Sequence, residues 1–596
     1  MCGITGFNWE DKDLIKKMTD LLSHRGPDQH NCYTDSKISL GHRRLSIIDL
    51  SENGKQPMSN EDNTIFVIYN GEIYNFKSIR EELIKKGHKF KSNSDTEIII
   101  HAYEEYGPTC VNLFNGMFAF AIWDSKKKKI FIARDRLGIK PLYYYYKDNK
   151  LIFASELKAI LKNPEVKKQL NLSGLNQLIY YAYPINGETL IEGINELLPG
   201  HLMIYDYNQL IIHKYWEPKN NIQYESESYF AKRLKSTLKE SVRKRLVADV
   251  PLGASLSGGL DSAAIVAFMS QLTNNPVKTF TVGFGDESDE LSEAKEISDY
   301  CNTDHHEIIV DFKDITKNIP KILWNAETPF AKPAMYATYF LAEGIRKNNV
   351  IIDLSGEGSD EIFGGYNRYL PFIENQLSNK EKAKQIVSSY FPKKEEKNSY
   401  FNSNLAQAMH PSLKPENNFY PSLERTSEKE HLNTVLNFEI RKQLPGIHLL
   451  RVDKMSMAHS HEIRVPFLDH DVVELAMTIP SSLKWHQDGK KYILQKAMQG
   501  SLPNEVIKRK KLPFHMPYLK YFQEEFVDIS QSILEKSTLL KKIANHQLIM
   551  NKIKKIKSKE DTSDSTLRQI TFLTNLELFN KIFIEDNNNL ELNNFI

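Results

Sequence analysis

The spacing of apolar residues changes character near residue 215, and this change constrains the fold more than any other feature of the chain. Before it, short apolar runs succeed one another with only turn residues between them: Thr64–Tyr69, Met117–Trp123, Lys129–Ala133 and Leu142–Tyr146. Runs of that length, bounded by turn chemistry, predict strands. Two segments with helical apolar spacing, Asp11–Leu22 and Asp95–Tyr106, interrupt them. Leu197–His201 reads as a last turn, Leu202–Tyr205 as a last strand, and polar Glu217–Ser228 as a linker. Beyond the linker Leu234, Leu238, Val242 and Leu246 recur at every fourth position, which marks an amphipathic helix. The apolar runs Leu252–Leu256, Lys278–Phe284, Glu307–Val310 and Asn349–Leu354 then alternate with helical stretches. Strands alternating with helices predict a parallel, doubly wound sheet.

A chain of 596 residues is too long for one core, so the two patterns are read as two domains, 2–215 and 226–596. Residues 370–435, rich in Lys, Glu, Asn and Ser with weak periodicity, read as a helical insertion in the second. The largely polar tail from Ser558 reads as loose at its end. A net charge of +2 gives no electrostatic reason to expect nucleic acid or a membrane as partner. The run Lys126–Lys129 lies between two strands and reads as a solvated hairpin turn. Cys2, Cys32, Cys110 and Cys301 are widely spaced, which supports neither a zinc site nor a disulfide framework. No basic-then-apolar leader precedes Cys2 and no apolar stretch is long enough to span a bilayer, so a cytoplasmic location is expected.

The chemistry begins at the second residue. Loss of Met1 would make Cys2 terminal, placing a nucleophile and a base on one residue. A thiol of pKa ~8.5 beside an α-amine of pKa ~7.7–8.0 can pass its proton to that amine and later deliver it to a leaving group. The alternative is a small buried residue opening a strand. Asn70-Gly71-Glu72 follows a strand. An asparagine amide and a backbone N–H suit an oxyanion hole, while an Asn-Gly hairpin turn is the plain alternative. Arg44 is able to pair with a substrate carboxylate, and Asp95 to cap a helix or bind a substrate ammonium.

In the second domain Ser257-Gly258-Gly259-Leu260-Asp261-Ser262 lies between an apolar strand and the apolar helix Ala263–Leu272. Small residues there let the backbone wrap a phosphate at a helix N-terminus, and Asp261 is placed to hold magnesium. No Gly-Lys-[Ser/Thr] follows, which excludes the Walker loop. A second glycine-rich loop, Ser355–Glu361, again follows an apolar strand. Two such loops at strand C-terminal ends share one crevice. Its three carboxylates suit magnesium at Asp360 and a general base at Glu357.

Taken together, Cys2-Gly3-Ile4, His24–Asp28, Arg44–Ile48, Asn70–Asn75 and Ser94-Asp95 resemble a class II glutaminase domain. Ser257–Ser262 and Ser355–Glu361 are similar to ATP-pyrophosphatase signatures, and Arg464–Asp469 is a further hallmark of the same family. The chain resembles the glutamine-hydrolysing asparagine synthetases from Cys2 to roughly residue 520. The resemblance implies an N-terminal-nucleophile fold, a four-layer α/β/β/α sandwich, followed by a parallel-sheet ATP-pyrophosphatase domain with extra helices. It implies that Cys2 attacks the glutamine amide, with Asn70 and Gly71 stabilising the oxyanion. Arg44 would hold the glutamine carboxylate, Leu45, Ser46, Ile47, Ile48 and Glu72 would assist, and Asp95 would bind the amine. Leu256 and Val282 would line the adenine site, while Ser257, Gly258, Gly259, Asp261, Ser262, Ser355 and Gly356 cradle phosphates. Glu357 would assist at the acyl-adenylate and Lys491 would steady its charge. ATP and Mg²⁺, aspartate as default acceptor, a covered passage for ammonia and a possible homodimer are implied as well.

Three stretches depart from the family pattern. Aspartate-specific members carry an arginine where Thr328–Ala334 here offers Lys332, a point charge without the bidentate fork. This stretch looks more like that of members acting on a sugar acid or another larger carboxylate. Gln495 stands where an arginine often follows, and Leu512-Pro513-Phe514 replaces a more usual Gly-Phe.

Overall fold

Along each strand of the N-terminal half, successive side chains enter different cores. Ile68 and Ala121 face one way, and Val67, Tyr69, Phe118 and Phe120 the other. A computed structural model of the chain shows why, and it describes residues 1–596 apart from 288, 333, 375–376, 386–396, 398, 409, 411–413, 488, 511–524, 588 and 596. Leu512-Pro513-Phe514 and parts of the 370–435 segment thus lie outside the described residues.

Two six-stranded antiparallel sheets stack in this half. The first runs, in spatial order, Ile194–Glu196, Tyr143–Lys147, Lys150–Ala154, Gly3–Phe7, Ile38–Arg44 and Gln29–Asp35. The second runs Leu210–Lys214, His201–Tyr205, Lys129–Arg134, Gly116–Asp124, Ile65–Ile73 and Met58–Ser59. Ile4, Leu40, Phe153, Phe66, Ile68 and Ile132 fill the space between them. Helices Phe76–Lys85 and Glu97–Tyr106 cover the outer face of the second sheet through Ile79, Ile98 and Ala102. Helices Lys12–Asp20 and Leu172–Tyr181 cover the first through Ile15, Met18, Leu175 and Leu178. The result is an α/β/β/α sandwich. Period-two alternation produces it, because each strand buries one face on the partner sheet and the other on helices.

The second half is built on a five-stranded parallel sheet in the order Asp304–Ile309, Lys278–Gly283, Leu252–Ser255, Ile352–Leu354, Glu462–Arg464. The chain winds outward from Leu252–Ser255 in one direction and later in the other. The order therefore reverses between Leu252–Ser255 and Ile352–Leu354, the crevice where open α/β sheets bind ligands. Both glycine-rich loops leave the sheet there.

Several boundaries differ from the sequence reading. His201–Tyr205 is not the last strand, since Leu210–Lys214 pairs with it antiparallel. The fifth parallel strand, Glu462–Arg464, escaped notice because two of its three residues are charged, yet all three are buried. The tail from Ser558 begins with a sixteen-residue helix, Asp564–Phe579, packed into the large core shared by both halves. Two of its buried threonines are satisfied within the helix: Thr571 and Thr574 hydroxyls donate to the Leu567 and Ile570 carbonyls at 2.8 and 2.9 Å. Among the described residues no helix is long and apolar enough to cross a membrane.

Candidate active sites

The strand Gly3–Phe7 starts at the rim of the sandwich, so Cys2 sits at its mouth, buried to 6% exposure. The Cys2 N–H donates to Asn70 Oδ1 at 3.0 Å, and Arg25 Nε donates to the Cys2 carbonyl at 3.0 Å. Asn70 Nδ2 is buried and has no hydrogen-bond partner. Burial pushes the Cys2 thiol up, while the terminal ammonium, the Leu45 N–H and Arg44 pull in the opposite direction. Met1 is buried too, and its ammonium lies 3.2 Å from Glu462 Oε2.

A cavity of about 280 Å³, its mouth included, opens beside Cys2, and Arg44, Leu45, Ile47, Ile48, Gly71, Glu72 and Asp95 all belong to its wall. Ser46 does not; its N–H turns to Asp28 Oδ2 at 2.7 Å. Asn70-Gly71 is no hairpin turn, for it lies inside the strand Ile65–Ile73 paired with Ala119 and Phe118. A Cβ on Gly71 would fall 2.2 Å from the Met117 carbonyl oxygen, which excludes any larger residue. Asp95 is not the helix cap. The helix begins at Glu97 with Thr96 in the cap position, and Asp95 Oδ2 instead accepts from Tyr69 Oη at 2.8 Å and Ile73 N at 2.9 Å. Burial raises the Asp95 carboxyl, against the Ile73 N–H and the Tyr69 hydroxyl. Burial, with Asp95 and Glu462 adding, raises Glu72 well above the usual range. This wall therefore holds two buried carboxyl groups side by side, Glu72 with Arg464 Nη2 3.6 Å away and Asp95 held by Tyr69 and Ile73. Arg44 spends its guanidinium on Gln29 Oε1 at 2.9 Å and on the Ser51, Ile48 and Asp49 carbonyls, so it also shapes the loop that closes the cavity.

At the crevice of the parallel sheet the two glycine loops touch. A Cβ on Gly356 would fall 2.7 Å from Ser262 N, so only glycine allows the approach. Ser257 and Ser262 hydroxyls lie 3.0 Å apart, and the helix Leu260–Leu272 directs its N-terminus at the same place. Leu256 N donates to the Phe280 carbonyl at 2.8 Å, which holds this loop against the strand that carries Val282. Asp261 Oδ2 and Asp360 Oδ1 each lie 2.6 Å from Lys491 Nζ. The ammonium is buried, and the two carboxylates raise its pKa against that burial. Two carboxylates that converge on one cation are a donor set that fits Mg²⁺.

Glu357 is held differently from the general base expected. Its carboxylate accepts from His448 Nδ1 at 3.1 Å and pairs with the Arg451 guanidinium. Burial alone would raise it, but Arg451 and His448 hold it down at about 2. A carboxylate so far below neutral is a weak base. It gains basicity when Arg451 turns to another anion. His448 and Arg451 also line a cleft of about 500 Å³, mouth included, together with Lys332.

The structure thus gathers the candidates into two centres and an adjoining cleft. It also exposes residues that sequence reading passed over. His448, Arg451, Asp453 and Lys454 come from one helical stretch, and Asp453 pairs with Arg25 Nη1 at 2.9 Å across the two halves. Lys454 pairs with Glu327, which also accepts from the Leu157 and Lys158 N–H groups at 2.8 Å. The available signal was charge in an otherwise apolar helix, Leu450–Met457.

A glutamine amidotransferase domain model matches residues 1–216, and an asparagine synthase model matches residues 233–579. Asparagine synthetase [glutamine-hydrolyzing] 3 of Bacillus subtilis is 33% identical over 575 residues, 88% of this chain and 89% of that protein. Asparagine synthetase [glutamine-hydrolyzing] 1 of the same organism is 33% identical over 90% of each chain. Amidase chry2 of Gibberella zeae is 29% identical over 87% of this chain and 89% of its own length.

Proposed function

The chain belongs to the asparagine synthase family of glutamine-dependent carbon–nitrogen ligases, and from that premise we propose that it amidates a carboxylate through an acyl-adenylate, using ammonia released from glutamine. Residues 2–215 supply the glutaminase unit and 226–596 the synthetase unit. The observation that carries this reading is the meeting of both glycine loops with Asp261, Asp360 and Lys491 in a molecule that also pairs Cys2 with Asn70.

In the glutaminase unit the Cys2 sulfur attacks the glutamine amide carbon, its proton passing to the Cys2 amine once Met1 is gone. Asn70 Nδ2 and the Gly71 N–H take the oxyanion. Glu72 and Asp95 receive the α-ammonium and Arg44 the α-carboxylate. Ammonia leaves with the returned proton, and water releases glutamate from the thioester. In the synthetase unit an acceptor carboxylate oxygen attacks the α-phosphorus of ATP and pyrophosphate departs along the Ser257–Ser262 and Ser355–Gly356 backbone. Ammonia then attacks the acyl carbon and AMP leaves. Magnesium, bound by Asp261 and Asp360, would neutralise the phosphate charge. Lys491 stabilises the adenylate. An acceptor carboxylate near Arg451 and His448 draws them from Glu357, which becomes basic enough to take a proton from the attacking ammonia.

The names of the Bacillus relatives point to aspartate as the default acceptor. Lys332 in the Thr328–Ala334 stretch favours a second reading, a sugar acid, cell-wall or other larger carboxylate. AMP, pyrophosphate and glutamate are to be quantified with glutamine, magnesium-ATP and each acceptor. Acceptor-dependent AMP formation matched by glutamate supports the reading. Glutamate without AMP under every acceptor would leave only an N-terminal-nucleophile hydrolase.

A further inference from the structure

The two small-molecule cavities of this protein treat charge in opposite ways. The glutamine cavity must accept a zwitterion, and its wall carries Glu72 and Asp95 for the ammonium beside Arg44 for the carboxylate. Among the described residues, the wall of the cleft beside Glu357 carries no aspartate or glutamate. Its ionisable wall groups are Lys332, His448 and Arg451, and the rest is mainly apolar, with Phe330, Met335 and Leu450. Glu357 lies behind His448 and Arg451 and is already paired with both.

Lys332 has no side-chain hydrogen bond or ion pair among the described residues. Its ammonium is pushed down to about 7 by burial, with Arg368, Arg451 and Arg568 adding to the effect and Glu439 opposing it. Arg451 Nε is likewise buried without a hydrogen-bond partner. An incoming anion would give Lys332 the partner it lacks and offer an acceptor to the unpartnered Arg451 Nε. A substrate ammonium has the reverse fate. Beside these groups it meets repulsion that no carboxylate of the described wall offsets, since Glu357 and Glu439 behind it are already paired with Arg451 and Arg368.

We propose that this cleft takes a dianionic acceptor with no free ammonium: one carboxylate is presented to ATP beside His448 and Arg451, and a second anionic group rests on Lys332. The body between them packs on Phe330, Met335 and Leu450. The acceptor is a dicarboxylate, or an amino diacid whose nitrogen is acylated, rather than aspartate itself. This rests on the amidation reading above and narrows its substrate class.

The test separates the two claims by using two readouts. Binding of succinate, N-acetyl-L-aspartate and L-aspartate to the full-length protein is measured by calorimetry with a non-hydrolysable ATP analogue and magnesium. AMP release is measured with the same three compounds, ATP and ammonium chloride. The expected result is that succinate or N-acetylaspartate binds at least tenfold tighter than aspartate. Lys332→Gln should erase that difference, and Lys332→Arg should keep most of it. The ligand comparison in the unmodified protein stands even if a variant fails to fold. Aspartate binding as tightly as the diacids, or no diacid binding at all, overturns the inference. AMP release with aspartate alone overturns it too and leaves amidation standing. Diacid binding without AMP from any carboxylate upholds the cleft's charge selectivity and sinks the amidation reading.

Discussion

Asn70 performs two tasks with one side chain. Its Oδ1 fixes the Cys2 backbone, while its Nδ2 is left buried and unpaired. An unmet buried donor costs about 1–3 kcal/mol, a cost that an oxyanion next to Cys2 would remove. Asn70→Ala is therefore expected to lower kcat for glutamine hydrolysis by about 10²–10³. AMP formation supported by ammonium chloride should be unchanged, since the loops around Asp261 lie in the other half of the chain. Equal loss of both activities would mean that Asn70 acts only on folding. The residues of this centre were legible in the sequence because their constraints are local. Gly71 must be glycine where its strand crosses Met117, and Asn70 adjoins it. His448 and Arg451 were illegible for the converse reason. Their meaning depends on Glu357, about ninety positions earlier, and nothing in their own neighbourhood announces that pairing.

Short elements and polar ones were the hardest to read from sequence. The strand Glu462–Arg464 has no apolar run, and the helix Asp564–Phe579 hides polar residues in its core-facing surface. That helix also reaches the acceptor cleft, since Asn575 Nδ2 donates to the Phe330 carbonyl. Near its end Glu577 accepts from the Ser537 hydroxyl at 2.5 Å. Burial raises the Glu577 carboxyl to about 7, against the Ser537 hydrogen bond and Lys581. An unfolded glutamate titrates near ~4.3, so between these values the folded chain holds a proton that the unfolded chain has released. The contribution is thus fully present below the unfolded pKa and is lost as pH rises through about 7. Its ceiling is about 4 kcal/mol from the size of the shift. Glu577→Gln keeps an acceptor for Ser537 and cannot ionise. Its melting temperature, measured against that of the unmodified protein, is expected to gain a few degrees between about pH 5 and pH 8. A gap that does not change with pH would show that Glu577 stays uncharged, or solvated, across that range.

At the scale of the molecule, the two halves share buried charge at Asp453 and Glu327, and the hallmark Arg464–Asp469 is a further place where they meet. Asp469 accepts from Asn115 Nδ2 of the sandwich at 3.0 Å and pairs with Arg245 at 2.7 Å. Arg464 does more. Its Nε donates to Glu462 at 2.6 Å, its Nη1 donates to the Arg245 and Val247 carbonyls at 2.7 Å, and its Nη2 lies 3.6 Å from Glu72. Its own carbonyl accepts from Ser355 N at 2.9 Å, the first residue of the second glycine loop. One residue therefore touches a carboxyl group in the glutamine cavity with its side chain and the phosphate loop with its backbone. Arg464→Lys keeps the positive charge but loses the planar fork, so it cannot hold Glu462, two carbonyls and Glu72 together. In this variant we expect AMP formation with ammonium chloride to survive within a few-fold. We expect glutamate to be released in clear excess over AMP when glutamine is the donor, because one residue would no longer tie Glu72 to the Ser355 loop. If glutamate and AMP stay equal while both rates fall, Arg464 only supports the fold, and the coupling between the halves runs instead through pairs such as Arg25 with Asp453.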